Sequence, residues 1–164
     1  MTEAMSDESA LCTACGLCCA GALHDYAQLQ EDKVGPAEAI GLPVDRASTK
    51  PRFLMPCPKL DGSFCTIYGA RPKGCDYACR LLEEVRGGRP LHSALPVVAK
   101  ARRLGEELRA ALPPGLSLPA IRRNLFDPDR PAPTQLRAIA FTHYLDRHFR
   151  NGKEGTMLKS ELPQ

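Results

Sequence analysis

Tryptophan is absent from these 164 residues, and aromatic side chains make up only 5% of them. That scarcity leaves no aromatic platform legible along the chain. With no basic stripe either, the sequence carries no strong nucleic-acid signal. Charge of one sign is also missing: 22 Lys and Arg stand against 19 Asp and Glu, a formal +3. Such a balance is weak evidence for a polyanionic partner. No apolar run is long enough to span a membrane. The acidic stretch Met1 to Leu11 has no hydrophobic core of signal-peptide type, so the expected location is cytoplasmic. No cysteine follows position 79.

What is present lies before that point. Eight cysteines fall between positions 12 and 79: Cys12, Cys15, Cys18, Cys19, Cys57, Cys65, Cys75 and Cys79. The first four sit in the run Cys12-Thr13-Ala14-Cys15-Gly16-Leu17-Cys18-Cys19. A disulfide framework spreads its bridges through a small secreted domain. Clustering in a reducing compartment points instead to metal or redox chemistry. Thiolates are soft, charged ligands that hold zinc tetrahedrally or carry iron–sulfur clusters. Two residues separate Cys12 from Cys15 and Cys15 from Cys18, so each pair can reach one metal. Adjacent side chains diverge, so Cys18 and Cys19 suit different metals. Eight thiolates match two zinc ions with four ligands each. Loading would subtract eight charges and return four, turning the formal +3 into −1.

Iron is the alternative. Cys12, Cys15 and Cys18 follow the ferredoxin spacing, and Cys57 is followed by Pro58. The fourth cysteine of that pattern is displaced, because Ala22 stands where it belongs. A redox pair at Cys12 and Cys15 is a weaker reading, since further sulfurs close by favour chelation. His24 is a lesser ligand candidate, and His143 and His148 are awkwardly spaced for one helical metal face.

The remaining sequence reads as one domain, 1–164. Residues 12–79 form its cysteine-cluster region and 90–150 its helical support. The fold class is mainly α: a small irregular helical domain with a cysteine-rich metal-binding core and one short β-hairpin. Met1 to Ala10 reads as a loose lead-in, and Leu23, Tyr26 and Leu29 as core contacts whose spacing permits a short helix without demanding one. Pro36 is expected to open a brief helix. A hairpin turns at Asp61-Gly62, with Cys57 and Cys65 on its arms and a strand over Phe64 to Tyr68. A helix from Pro72 to about Arg86 would put Cys75 and Cys79 on one face. Leu91, Leu95, Val98, Ala101, Leu104, Leu108 and Leu112 form a helical stripe that ends at Pro113-Pro114-Gly115. A short turn follows from Pro119 to Leu125. The last helix, Pro133 to Phe149, reads as apolar on more than one side.

Four pieces taken together resemble a known family. They are the C-x2-C-x2-C-C run ending at Cys19, the segment Cys57-Pro58-Lys59-Leu60-Asp61, Cys65-Thr66-Ile67-Tyr68, and Arg71-Pro72-Lys73-Gly74-Cys75. In this order they are similar to the zinc- or iron-chelating cysteine-cluster proteins, to which flagellin lysine-N-methylase is also related. The resemblance covers residues 12 to 79 and implies metal chelation. No stretch reads as an S-adenosylmethionine site, so methylation is not expected, and no small-molecule substrate is indicated. Closed four-thiolate sites stabilise folds more often than they activate water. The expectation is therefore a structural zinc protein with a protein partner. The alternative is an iron-dependent redox enzyme or electron-transfer protein.

Overall fold

Among the described residues, six α-helices and five very short strands order the chain. The computed structural model describes residues 4–70 and 79–150, and these divide into two compact units. One comprises Met1–Cys12, Ala78–Leu112 and Leu125–Gln164, the other Thr13–Tyr77 and Pro113–Asn124.

The first helix, α1 (Asp7–Cys15), occupies part of the expected lead-in and reaches into the cysteine run. Its start follows from local chemistry. The Ser9 amide donates to Ser6 Oγ at 3.2 Å, and the Ala10 amide to the Ser6 carbonyl at 2.9 Å. Asp7 and Glu8 place negative charge in the first turn, where the exposed amides favour it.

In the unit that begins at Thr13, a three-stranded antiparallel sheet runs in the order β1 (Tyr26–Gln28), β3 (Arg52–Leu54), β2 (Val44–Asp45). Where the spacing around Tyr26 permitted a short helix, the chain forms β1. Alternation explains the exchange: Ala27 and Phe53 pair across the sheet and are fully buried, while Tyr26 and its partner Leu54 face outward. The Arg52 guanidinium lies 4.8 Å from the Tyr26 ring centroid. Helix α2 (Glu31–Ala39) begins five residues before Pro36 and keeps that proline inside. Glu31 and Asp32 supply its acidic first turn, and Val34 and Ala37 its buried face. These residues join Leu29, Leu42, Phe53, Met55 and Cys57 in one apolar cluster.

The expected hairpin is present as β4 (Leu60–Asp61) and β5 (Phe64–Cys65). Gly62 takes φ +61° at the first position of a two-residue turn, which suits glycine. The second strand is shorter than expected, because the chain turns into a 3-10 segment at Tyr68–Ala70. Helix α5 (Leu118–Arg123) is capped by Ser117, whose hydroxyl accepts from the Ala120 amide at 3.3 Å. Arg122 donates to the Leu23 carbonyl and to Asp25, tying α5 to the segment after the first cysteines. Ser117→Ala should cost about 1 kcal/mol of stability, read as a lower urea midpoint by circular dichroism.

The other unit holds α3 (Arg80–Arg86), α4 (Leu91–Ala110) and α6 (Ala132–His148). The α4 stripe is rotated from its expected centre. Ala94, Val98, Ala101, Gly105 and Leu108 are buried, while Leu91, Leu95, Leu104 and Leu112 are half-buried. Small residues at Ala94, Ala101 and Gly105 let α6 approach closely; a methyl group at Gly105 would lie 3.1 Å from Phe141 Cζ. Helix α6 is apolar on one side rather than several. Ala138, Phe141 and Leu145 are buried, but Leu136 is 66% exposed. Among the described residues no helix is long and apolar enough to cross a membrane.

Candidate metal centre

Each unit gathers cysteines around one thiol drawn out of solvent. In the sheet-bearing unit that thiol is Cys57, 8% exposed within the apolar cluster, and Cys19 packs against the same cluster. Backbone contacts hold the pieces together. The Cys57 amide donates to the Cys19 carbonyl at 2.7 Å, joining positions 38 residues apart in sequence. The Leu60 amide donates to the Cys57 carbonyl at 3.2 Å, and the Thr66 amide to the Lys59 carbonyl at 2.9 Å. Leu60 pairs with Cys65 across the hairpin.

Gly16 seats the hairpin against the first cysteine loop. It takes φ +62°, ending α1 in the left-handed turn that favours glycine. A methyl group there would stand 2.8 Å from Ser63 Cα and 2.9 Å from its carbonyl oxygen. Beyond it the loop closes through Ala20 N–H to the Gly16 carbonyl at 2.9 Å and Gly21 N–H to the Cys18 carbonyl at 3.1 Å. Cys18 and Cys19 are therefore carried on a turn whose backbone is bonded to itself and to Cys57.

The electrostatics at Cys57 pull in opposite directions. Burial pushes its pKa up, and a neighbouring Cys65 thiolate adds to that. The Lys59 amide, hydrogen-bonded towards the sulfur, and the Lys59 charge favour the thiolate. The helical unit repeats the arrangement. Burial pushes the Cys79 thiol up; the Leu82 and Leu81 amides pull it down, while Cys12 and Glu83 push it up. In both places a desolvated sulfur receives backbone N–H, one at Cys57 and two at Cys79, and faces a second cysteine.

Cys79 is the cap of α3, with φ −110° and ψ 116°, so the helix expected to carry it starts one residue later among the described residues. The earlier part of that expected helix, Pro72 to Ala78, lies outside the described residues. The Arg80 amide donates to the Phe149 carbonyl at 2.8 Å, and the Glu83 amide makes the first helical bond, to the Cys79 carbonyl at 2.9 Å. Cys75 itself lies outside the described residues.

Of the remaining candidates, Cys12 and Cys15 lie on α1, and Cys15, Cys18 and Cys65 are all half-buried. The described cysteines are thiols with no disulfide among them. Two pairs act on each other electrostatically, Cys57 with Cys65 and Cys79 with Cys12. Among the described residues no group of three or more His, Cys, Asp and Glu side chains stands ready to hold a metal ion. The donors fit a soft metal in kind, as thiolates supported by amide hydrogen bonds. His92 and His143 are exposed, and His148 lies against Tyr144 with ring centroids 4.5 Å apart.

Comparison with known families is consistent with this chemistry. Residues 11–90 match a family model, CxxCxxCC, described as a putative zinc- or iron-chelating domain. The matched stretch takes in all eight cysteines. No curated protein and no solved structure matches the chain. Nothing in the comparisons links it to flagellin lysine-N-methylase.

Proposed function

We propose that this protein binds zinc, as two ions held by its eight cysteines, and that the metal serves structure and protein interaction rather than catalysis. The observation that carries the reading is the repeated arrangement at Cys57 and Cys79. A neutral thiol in an apolar setting gains little from amide N–H groups aimed at its sulfur. A thiolate gains a great deal, because those donors offset the desolvation of its charge. Paired with Cys65 and Cys12, each supplies two ligands of a tetrahedral set. Cys15, Cys18, Cys19 and Cys75 are the further thiols of the same chemistry. Full thiolate coordination leaves no open position for water, which favours a structural role.

Metal and acid-labile sulfide analysis on protein purified without oxygen tests the identity of the metal. About two zinc ions per chain are expected, from four thiolates per ion, with no sulfide. Stoichiometric iron with sulfide would sink the zinc reading and support a cluster with a redox role. Chelation followed by near- and far-ultraviolet circular dichroism tests the structural role. An apoprotein that unfolds cooperatively at the same temperature as the loaded protein would overturn it.

A further inference from the structure

We infer that the seam of α4 and α6 is a binding surface for single-stranded nucleic acid. It lies wholly in the helical unit, where Arg80 directly follows Cys79, and it does not depend on the metal reading. Its centre is the tilted ring pair of Tyr144 and His148, at 4.5 Å. The Tyr144 hydroxyl donates to the Val97 carbonyl at 3.2 Å, which holds its ring on the seam. Lys100 Nζ stands 5.2 Å from the Tyr144 ring centroid. Arg147 precedes His148 on α6 and is exposed.

Further cations converge from outside these two helices. The charges of Arg103 and Arg89 are felt at the Tyr144 hydroxyl, and those of Arg147, Arg80 and Arg89 at the His148 ring. The carboxylates do not cancel them. Glu84 takes Arg89 at 2.6 Å and Arg80 at 3.7 Å, one negative charge against two positive. Glu107 reaches Arg103 only at 3.9 Å, between two mainly exposed side chains, a pair that salt screens readily. Among the described residues neither Lys100 nor Arg147 has a carboxylate partner. Five cations thus surround two aromatic rings in a chain whose whole formal charge is +3.

That combination separates one polyanion from another. Phosphodiesters need cations, and an acidic peptide would be satisfied by cations alone. Aromatic rings among the cations add something only for a ligand with flat bases to stack. Burial, followed by the surrounding arginines, lowers the His148 pKa, so the ring stays neutral at neutral pH and adds no repulsion to its cationic surroundings. The surface escapes sequence reading because its parts come from α3, the Arg89 segment, α4 and α6.

The test uses the full-length, metal-loaded protein and a fluorescein-labelled oligouridylate of about 15 nucleotides, read by anisotropy. Arg89 spends its three nitrogens on Glu84 and Ser93, so four phosphate contacts predict a salt slope of about −2.8, roughly a 50-fold loss of affinity between about 50 and 200 mM salt. The double variant Lys100→Ala, Arg147→Ala changes exposed side chains only. It should lower the slope to about −1.4 and weaken binding by roughly tenfold at the lower salt, with an unchanged circular dichroism spectrum. An abasic strand of equal length should bind more weakly than oligouridylate, and His148→Ala should shrink that difference. Three results overturn the inference: no binding at the lower salt, an affinity indifferent to the double variant, or equal binding of the abasic strand or polyglutamate.

Discussion

Cys57→Ala is expected to cost far more in the zinc-loaded protein than in the chelated one, and the gap between the two measures its role as a ligand. As a core residue Cys57 is small, 8% exposed, and packed beside Phe53 and Met55. Deleting its sulfur from an apolar cluster should cost on the order of 1 kcal/mol. As a ligand it would carry a share of the ~10 kcal/mol or more that a structural zinc contributes to folding. The loaded variant should therefore lose several kcal/mol and about one zinc ion per chain. After chelation, variant and parent should melt within about 1 kcal/mol of each other. The readouts are urea unfolding with and without chelator and zinc content by competition with a coloured indicator. Equal destabilisation under both conditions would make Cys57 a packing residue and remove it from the ligand set.

The distinction matters because sequence reading alone could not draw it. Eight cysteines with two-residue spacings announce soft-metal chemistry by residue type. Their sorting into sets does not follow from spacing. Cys12 is felt at Cys79, 67 positions later, and Cys19 is bonded through its carbonyl to Cys57, 38 positions later. Such neighbours are products of tertiary structure. Only Cys57 and Cys65, on either side of the Asp61-Gly62 turn, stand near enough in sequence for a hairpin to bring them together, and that hairpin was legible. The place of Cys79 at the cap of α3 was not, because that start depends on the distant Phe149 carbonyl, which takes the Arg80 amide.

The same physical division runs through the fold. Long periodic stretches announced α4 and α6, and Pro119 marked α5 closely. The three-stranded sheet was hidden because its strands are two or three residues long, shorter than any window in which alternation can be counted. Burial of Ala27 and Phe53 against α2 decides it. Helix α1 did carry a local signal: Ser6 followed by Asp7 and Glu8, with Gly16 just beyond the end. The dense cysteine run drew that stretch towards a loop reading, although a helix presents thiols equally well. On α4 the stripe was found, but its centre was assigned to leucines. Close approach of Phe141 puts Ala94, Ala101 and Gly105 there instead.

Gly16→Ala tests whether the first cysteine loop and the hairpin form one site. Two costs add at this position. The left-handed φ of +62° penalises any Cβ by roughly 1–2 kcal/mol. The new methyl group would also stand 2.8 Å from Ser63 Cα and 2.9 Å from Ser63 O. Both atoms are backbone, so no rotamer change relieves the clash and the hairpin must move. Gly62→Ala provides the control. Its φ of +61° carries the same conformational penalty, but a methyl group there meets nothing within 4 Å. Gly62→Ala should therefore lose only about 1–2 kcal/mol, whereas Gly16→Ala should lose about 2–4 kcal/mol once the clash is added. It should also weaken zinc by about tenfold or more, since ligands must be held to within about half an ångström. Gly62→Ala should hold zinc as the parent does. Indistinguishable urea midpoints and zinc affinities for the two variants would separate the first loop from the hairpin and leave Cys18 and Cys19 outside the site that Cys57 and Cys65 build.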